Sequence, residues 1–502
     1  MNNQRYRWGT ALLVVCGLWG PKPGMGKGLT VEEAVQLAFK NSPALAVAQA
    51  EFRRAQLAVE GAEHRYVPLL TSNATYTHSE MPSFQADGAI GVGVSDTVAV
   101  GAGIHHTFSV GTAVGVDVEL NGADRSVPQT SGTGAMALDG TYGVTARASV
   151  RQPLLRGLGD DVGEAELRGA TLAQGVAERQ QQQVSSEVVR DVVIAYWTLW
   201  VAERSEEVTR ASLAVAQRRL DETQTRVDAG ERAPFDVLPL ETDVASLQEA
   251  LTAAQATTFQ TRVEMMRRMG LPVGDIVTTV EAFPTVPNSP ENPETITQWV
   301  EESVAFSFEV AQQKAAVETA KNQVLVADDQ AELRLDLSGW VQLDGVGAKD
   351  PTDAFGMFGR GEAVSGFVGV ELELPLDRTE QKNEAARAKW LVVAAEQALL
   401  DRIRNVAAET TVQVALLTSA VERLRFAEQT EKTAKRSAAG QAARFEAGDA
   451  TATDVILAEQ SVREARLRVT KTKADIAIAA VKLDHLRGKL ADKIKTGAVV
   501  GN

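Results

Sequence analysis

The stretch that decides the fold is RVDAGERAPFDVLPLETDVASLQEALTAAQATTFQTRVEMMRRMG (Arg226–Gly270), which returns as RFEAGDATATDVILAEQSVREARLRVTKTKADIAIAAVKLDHLRG (Arg444–Gly488). The two copies align without a gap. The identical pairs include Gly230 with Gly448, Asp236 with Asp454 and Gly270 with Gly488. A repeat of this length predicts a duplicated, elongated unit and not one compact domain.

Composition agrees with that interpretation. A globular chain of 502 residues would hold roughly three domains, but aromatic residues make up only 5% of this one. Its long periodic segments are crowded with Ala, Val, Glu, Gln and Arg, which is typical of long helices and coiled coils. A net charge of −15 argues against a nucleic-acid partner, because phosphate binding needs a basic face. The acidity fits either simple solubility or a functional acidic lumen.

The N-terminus resembles a secretory signal peptide. Arg5 and Arg7 precede an apolar run from Ala11 to Trp19 that is too short to span a bilayer as a helix. We assign residues 1–28 to this signal and the segment that follows it. Cys16 is the only cysteine, and lipidation there is not expected because Val15, not a small residue, precedes it. No later apolar run is long enough for a membrane helix, so any insertion must use β-strands.

The chain divides into two similar halves. The first, 29–270, is predicted to hold helices over 30–66, strands at about 69–77 and 142–151, and a long helical hairpin over 160–270. Residues 271–292 are predicted to be a linker. The second half, 293–490, is predicted to hold helices over 294–331, strands at about 335–343 and 367–374, and a hairpin over 379–488, followed by a tail at 491–502. Thr30 and Glu33 form the pattern of a capping box.

Each predicted strand alternates between one apolar and one polar face. This pattern fits a barrel strand with lipid outside, and it fits equally the half-buried strand of a soluble sheet. Residues 79–140 can be a long loop or an extra hairpin, whereas 344–365 is predicted to be a loop. At the hairpin turns, Gly230 and Gly448 are predicted to stop the long helices. Asp236 and Asp454 are predicted to cap the return helices, 236–269 and 454–487.

This order of elements resembles the TolC-type outer-membrane efflux protein family. The resemblance is carried by several segments in sequence. They are LTVEEAVQLAFKNSPALAVAQAEFRRAQ at the opening helix, RQPLLRG (Arg151–Gly157) and ELPLDR (Glu373–Arg378) at the strand-to-helix junctions, and RVDAGERAPFDVLPLE and RFEAGDATATDVILAE at the hairpin tips. No single motif is strong, but the ordered set on a duplicated frame is specific.

The resemblance implies a mixed α and β membrane protein. Each chain would hold two tandem repeats and give four strands to a transmembrane β-barrel shared by a homotrimer, below which the long helices form a coiled-coil barrel. It implies an exit duct of a tripartite efflux pump or type I secretion system in the outer membrane of a Gram-negative bacterium, surrounded by outer-membrane lipid. Its partners would be a periplasmic adaptor and an inner-membrane transporter. Conduction would be passive, with no enzymatic activity and no cofactor.

The family places the gate at the hairpin tips. Asp454 and its counterpart Asp236 are therefore predicted to form acidic rings, although each could merely cap a helix. The further gate candidates are Phe445, which lacks a tyrosine hydroxyl; Leu457, where some members of the family carry an acidic residue; and Arg232, whose counterpart Ala450 stands where some members carry a basic latch residue. These departures put the closing hydrogen-bond network in doubt. The predicted adaptor contacts are Val227, Gly230, Glu231, Ala233, Gly448, Asp449 and Thr451.

Other chemistry finds little support in the residues. The sequence contains no P-loop, nucleophile elbow or HExxH pattern. His105 and His106 are neighbours in a predicted strand, so their side chains point to opposite faces and do not form a metal pair. Tyr196, Trp197 and Trp200 are predicted to pack inside a helical bundle. Two alternatives to the duct are a periplasmic coiled-coil adaptor and a soluble scaffold without a membrane barrel.

Overall fold

The computed structural model describes residues 27–84, 90–127, 136–272, 277–280, 283 and 293–490. Nearly all of the predicted signal peptide, with Cys16, and the predicted tail at 491–502 lie outside these residues. The chain divides into two units. The sheet unit comprises Ala48–Gln181 and Phe308–Asn405, and the helical unit comprises Met1–Val47, Gln182–Ser307 and Val406–Asn502.

Helices make up most of the described chain. In order they are α1 (Val31–Asn41), α2 (Pro43–Glu63), α3 (Asp160–Gly163), α4 (Ala165–Asp228), α5 (Leu238–Met269), α6 (Pro293–Phe306), α7 (Phe308–Gln330), α8 (Pro351–Arg360), α9 (Thr379–Ala447) and α10 (Ala452–Leu486). The Thr30 hydroxyl oxygen accepts from the Glu33 backbone N–H, and the Glu33 carboxylate accepts from the Thr30 backbone N–H. The predicted capping box of α1 is therefore confirmed. None of the helices in the described part of the chain is both long enough and apolar enough to cross a bilayer.

Within the described residues the strands form two sheets. In order they are β1 (Lys27–Leu29), β2 (Leu69–Phe84), β3 (Ile90–Thr107), β4 (Ala113–Val127), β5 (Met136–Pro153), β6 (Val277–Thr279), β7 (Arg334–Ala348) and β8 (Ala363–Glu373). The larger sheet has the order β2-β3-β4-β5-β7-β8, and every neighbouring pair in it is antiparallel.

Of the two alternatives for residues 79–140, the structure shows the extra hairpin, β3 and β4, so the described sheet has six strands where the resemblance implies four from each chain in the barrel. The predicted loop at 344–365 is wrong. β7 runs on to Ala348, and the ten-residue helix α8 follows, capped by the Asp350 side chain and ended by Gly361 with a φ of 63°.

One face of the large sheet carries an apolar band that runs across the strands and ends, toward β2–β3, at the polar pair His78 and Asp96. Val100 on β3 lies opposite Leu120 on β4, while Val116 on β4 lies opposite Ala148 on β5 and Ala148 opposite Val341 on β7. Opposite residues of an antiparallel pair share a face, so these side chains form one surface. Many of its valines and leucines are well exposed in the single chain.

The other face is polar and crossed by ion pairs and hydrogen bonds. Arg151 on β5 contacts the buried carboxylate of Asp336 on β7. Farther along the same strands, the Arg147 guanidinium lies 4.1 Å from the centre of the Trp340 ring, and the Thr145 hydroxyl donates to Asp344 over 2.9 Å. β5 and β7 thus separate polar from apolar side chains with a period of two.

The sheet has two distinct ends. α2 leads into β2 and α7 leads into β7, while β5 and β8 lead out toward α4 and α9. All four helix connections therefore meet one end, which we call the helix end. The connections β2–β3, β4–β5 and β7–β8 lie at the opposite end, which we call the hairpin end, and α8 belongs to it.

The core of the helical unit lies among α1, α4, α5 and α10. Tyr196, Trp197 and Trp200 on α4 are all buried there, packed edge to face, which confirms that they act in packing. Met265 and Met269 of α5 complete the centre of this cluster. Inside it the Tyr196 hydroxyl donates to the Leu29 carbonyl over 3.0 Å, so the polar end of the ring is satisfied.

A short parallel pair joins the beginning of the described chain to the segment after α5. β1 pairs with β6, so the predicted linker at 271–292 contains a strand. Its position is fixed by Glu203 on α4, whose carboxylate accepts from the Thr279 backbone N–H at 3.0 Å and from the Thr279 hydroxyl at 2.6 Å. Arg262 on α5 donates to the Val277 carbonyl over 2.9 Å. Side chains from two helices thus hold β6 in place.

Candidate functional site: the two hairpin turns

Both long helices end at a glycine with positive φ, 78° at Gly230 and 85° at Gly448. In the first turn the Gly230 N–H donates to the Val227 carbonyl at 2.9 Å and the Glu231 N–H donates to the Arg226 carbonyl at 2.8 Å. The equivalent bonds of the second turn run from Gly448 to Phe445 at 3.1 Å and from Asp449 to Arg444 at 2.8 Å. This is the Schellman arrangement, and the predicted helix stops are confirmed.

The second turn enters its return helix through a reciprocal capping box. The Thr451 backbone N–H and hydroxyl both donate to the Asp454 carboxylate, at 2.9 and 2.7 Å, and the Asp454 N–H donates to the Thr451 hydroxyl oxygen at 3.2 Å. Thr451 is therefore the N-cap, and the prediction that Asp454 caps α10 is wrong in position. The Thr451 hydroxyl, and after it the Thr451 N–H, hold the pKa of Asp454 below its usual value. The carboxylate remains exposed and charged at neutral pH.

The first turn lacks this box. Ala233 stands where the second turn has Thr451, and an alanine offers no side-chain oxygen to a helix N-terminus. Pro234 then begins a 3-10 turn, Pro234–Val237, and α5 starts after it with no side-chain cap. The prediction that Asp236 caps the return helix is therefore wrong. Its carboxylate instead lies 4.0 Å from a terminal nitrogen of Arg232.

Arg232 connects the first turn to the second. Its Nη2 donates to the Phe445 carbonyl over 2.6 Å, and its guanidinium carbon lies 4.4 Å from the centre of the Phe445 ring. That carbonyl belongs to the last turn of α9, which carries the negative end of the helix dipole. The second turn has Ala450 at the position of Arg232, so it has no side chain that could donate a hydrogen bond to the first turn from that position.

An apolar cluster lies beneath this contact. Leu240 from the first hairpin packs with Phe445, Ala452 and Val455 from the second, all of them buried. Phe445 therefore contributes its ring to packing between the two hairpins of one chain. Farther along the same hairpins, Arg219 on α4 and Glu459 on α10 form an ion pair at 2.7 Å.

Several apolar side chains of the turns lie outside this cluster and are exposed. Leu457 is 57% exposed, and its role at the gate stays a prediction. Phe235 is 75% exposed and Leu238 51% exposed, and neither is among the gate residues predicted from the sequence. The signal for Phe235 was present in the alignment of the two copies, where a large aromatic residue corresponds to the small, polar Thr453 at the start of the second return helix.

The predicted adaptor contacts all lie in the two turns. Val227 is half-buried, and the other members of the set are exposed: Gly230, Glu231, Ala233, Gly448, Asp449 and Thr451. Their role stays a prediction. Among the described residues, no group of three or more His, Cys, Asp or Glu side chains is arranged to hold a metal ion.

Two comparisons with known proteins bear on this arrangement. Residues 299–489 match the model of the outer membrane efflux protein family. Solved structures match over nearly the whole chain. The outer membrane protein VceC from Vibrio cholerae is 15% identical, with a TM-score of 0.66 over 91% of this chain and 96% of that one.

Two further structures show the same fold. The CmeC outer membrane channel of Campylobacter jejuni is 14% identical, with a TM-score of 0.64 over 94% of this chain and 90% of that one. The open state of the MtrE outer membrane channel of Neisseria gonorrhoeae is also 14% identical, with a TM-score of 0.63 over 92% and 89%. No curated protein sequence matches the chain. The chain thus has the fold of the TolC-type outer-membrane channels, and its second half matches the outer membrane efflux protein family.

Proposed function

We propose that this protein is a trimeric outer-membrane channel that acts as the exit duct of a tripartite efflux pump or type I secretion system. Cargo would pass by passive conduction from the periplasm to the exterior. The observation that carries the proposal is a match to outer-membrane channels over more than nine tenths of the chain, which combines a two-faced sheet with two long helical hairpins.

The sheet supports a barrel that is closed by other copies of the chain. Its apolar face is exposed in the single chain, which suits contact with lipid, and its polar face suits a water-filled lumen. β2 and β8 form its two edges within the described residues. Open edges are not tolerated in a bilayer, because each unpaired backbone group there costs several kcal/mol. β2 runs away from the helix end and β8 runs toward it, so β8 of one copy can pair antiparallel with β2 of the next.

The two hairpin turns are the proposed periplasmic gate and adaptor surface. Three copies of Asp454 would place three carboxylates around one axis, and an acidic ring in a narrow pore attracts cations. The capping box fixes each carboxylate in position and keeps it ionised. Capping and gating are thus compatible roles for Asp454. Arg232, Asp236, Phe445 and Leu457 complete the proposed gate, with Arg232 and the buried Phe445 acting within each subunit.

The first test is the native mass of the protein extracted from outer membranes in mild detergent, followed by conductance in planar bilayers. We expect a trimer that needs detergent for extraction and forms channels. A monomer or dimer released without detergent would contradict the duct and favour a periplasmic adaptor or scaffold.

The acidic ring has its own test. Asp454→Asn should weaken block of the open channel by divalent cations, measured as a rise in the blocking concentration. Asp449→Asn is the matched control, because it removes the same charge from the same turn but lies outside the capping box. Equal effects of the two substitutions would mean that general surface charge, and not a ring at Asp454, attracts the cation.

A further inference from the structure

The number of strands in the large sheet bears on the diameter of the proposed barrel. The resemblance implies four strands from each subunit, but the described residues of this chain form six in one continuous sheet. The additional pair, β3 and β4, lies between β2 and β5 and separates them. β3 and β4 are therefore inserted among the interior strands of the sheet and are not added at one of its edges.

The pairing of the inserted strands is as complete as that of the other strands. β3 pairs with β2 from Leu69 opposite His105 to Phe84 opposite Ile90, without a shift in register. β4 pairs with β5 along nearly its whole length, with one irregularity between Ala123 and Arg125. Strands of 18 and 15 residues exceed the roughly 9–11 tilted residues needed to cross a bilayer.

The side chains of β3 and β4 have the alternation of a membrane wall. Val98, Val100 and Ile104 on β3 and Val116 on β4 lie on the apolar face, and each is more than half exposed. The opposite face carries polar groups, with His105 of β3 and Asp117 of β4 paired at 3.1 Å. A hairpin projecting into water would gain nothing from such a broad exposed apolar surface.

We infer that β3 and β4 are part of the shared barrel, so that a trimer closes a barrel of eighteen strands, six from each chain. This inference rests on the proposed function. Because barrel diameter grows roughly linearly with strand number, the wall would be about 1.5-fold wider than one built from four strands per chain. A barrel of this size leaves an open aqueous channel. The exit would therefore pass bulky, hydrated cargo.

The decisive experiment is electron cryo-microscopy of the full-length protein in lipid nanodiscs. The inference expects eighteen strands around one lumen. A trimeric barrel of twelve strands, with β3 and β4 outside the wall, would overturn the inference and leave the proposed function standing. The absence of a trimer or of a barrel would overturn the proposed function itself.

A second measurement tests the width directly. Neutral polymers of graded size, added on the side of the hairpin end, enter the barrel without passing the helix tips. In a variant lacking residues 90–127, where β2 can pair with β5, the limiting polymer radius should fall by about 1.5-fold. Replacing α8 with a short glycine-serine linker is the matched control, because it alters the same end and keeps all six strands. An unchanged limiting polymer radius in the deletion variant would contradict the inference. If that variant does not fold, the number of strands seen by electron cryo-microscopy of the full-length protein tests the inference.

Discussion

The two hairpin turns share one sequence frame, yet they are stabilised differently. Both stop the outgoing helix with a glycine and the same pair of backbone bonds. The second turn then starts its return helix with bonds inside the turn, between Thr451 and Asp454. The first turn has no such box and depends on Arg232, which reaches across to Phe445. The hydrogen bonds that start one return helix therefore lie within its own turn, whereas the corresponding turn in the other copy bonds to its neighbour.

The largest expected effect comes from the feature that both turns share. Replacing Gly230 or Gly448 with valine forces a β-branched residue to a positive φ, and we expect each turn to lose about 1–3 kcal/mol of local stability. Hydrogen exchange of the turn amides measures this loss. Gly440→Ala is the control. Gly440 lies inside α9, and an added Cβ would meet no other atom within 4 Å, so this substitution should slightly stabilise the helix. Markedly unequal losses at the two turns would show that their backbones are not equivalent.

The next effect should separate the two turns. Arg232→Ala removes a charged hydrogen bond and a cation–π contact, together worth on the order of 2 kcal/mol. Protection from hydrogen exchange should fall around Pro234–Val237 and stay nearly constant at Thr451 and Asp454. Arg226→Ala, which changes an exposed arginine at the end of the same helix, is the control. If both turns loosen together, the second turn also depends on the contact and the comparison is wrong.

Smaller effects are expected when the capping box is removed from the second turn or introduced into the first. Thr451→Ala should cost the second turn about 1 kcal/mol through loss of the cap. Ala233→Thr should stabilise the first turn, because residue 233 already has the extended backbone of an N-cap and Asp236 lies three residues on. In that variant Asp236 should leave Arg232, which a double-mutant cycle between Ala233→Thr and Arg232→Ala would detect as coupling. Strictly additive effects would show that Asp236 remains where it is.

The sequence predicts those parts of the fold that local chemistry determines. The helix stops at Gly230 and Gly448 follow from a positive φ that only glycine adopts readily, and the cap of α1 follows from the spacing of Thr30 and Glu33. Asp236 and Asp454 lie at equivalent positions, so sequence reasoning treated them alike. The neighbouring residues Ala233 and Thr451 decide whether a capping box forms, and they differ.

Long-range contacts could not be predicted in this way. The bond from Arg232 to Phe445 joins residues that are far apart in sequence, and no periodic pattern indicates it. The sequence does not decide between a loop and the strands β3 and β4, because many Gly, Ser and Thr residues dilute the alternation of their apolar residues. The helix α8 was missed because ten residues with two internal glycines have the composition of a loop.

The smallest effect is a dependence on pH that belongs to the second turn. Hydrogen bonds from the Thr451 hydroxyl and N–H lower the pKa of Asp454 in the folded state. A depressed pKa adds stability that is fully present above the ordinary value for aspartate and is lost as the pH falls through the lower folded value. We therefore expect the first turn of α10 to lose protection from hydrogen exchange, corrected for intrinsic rates, below about pH 4. Thr451→Ala removes the hydroxyl that bonds the carboxylate but keeps the backbone N–H, so the pH step should become smaller. A step of undiminished size in this variant would assign the titration to another group and leave the hydroxyl without a measurable part in the acid response.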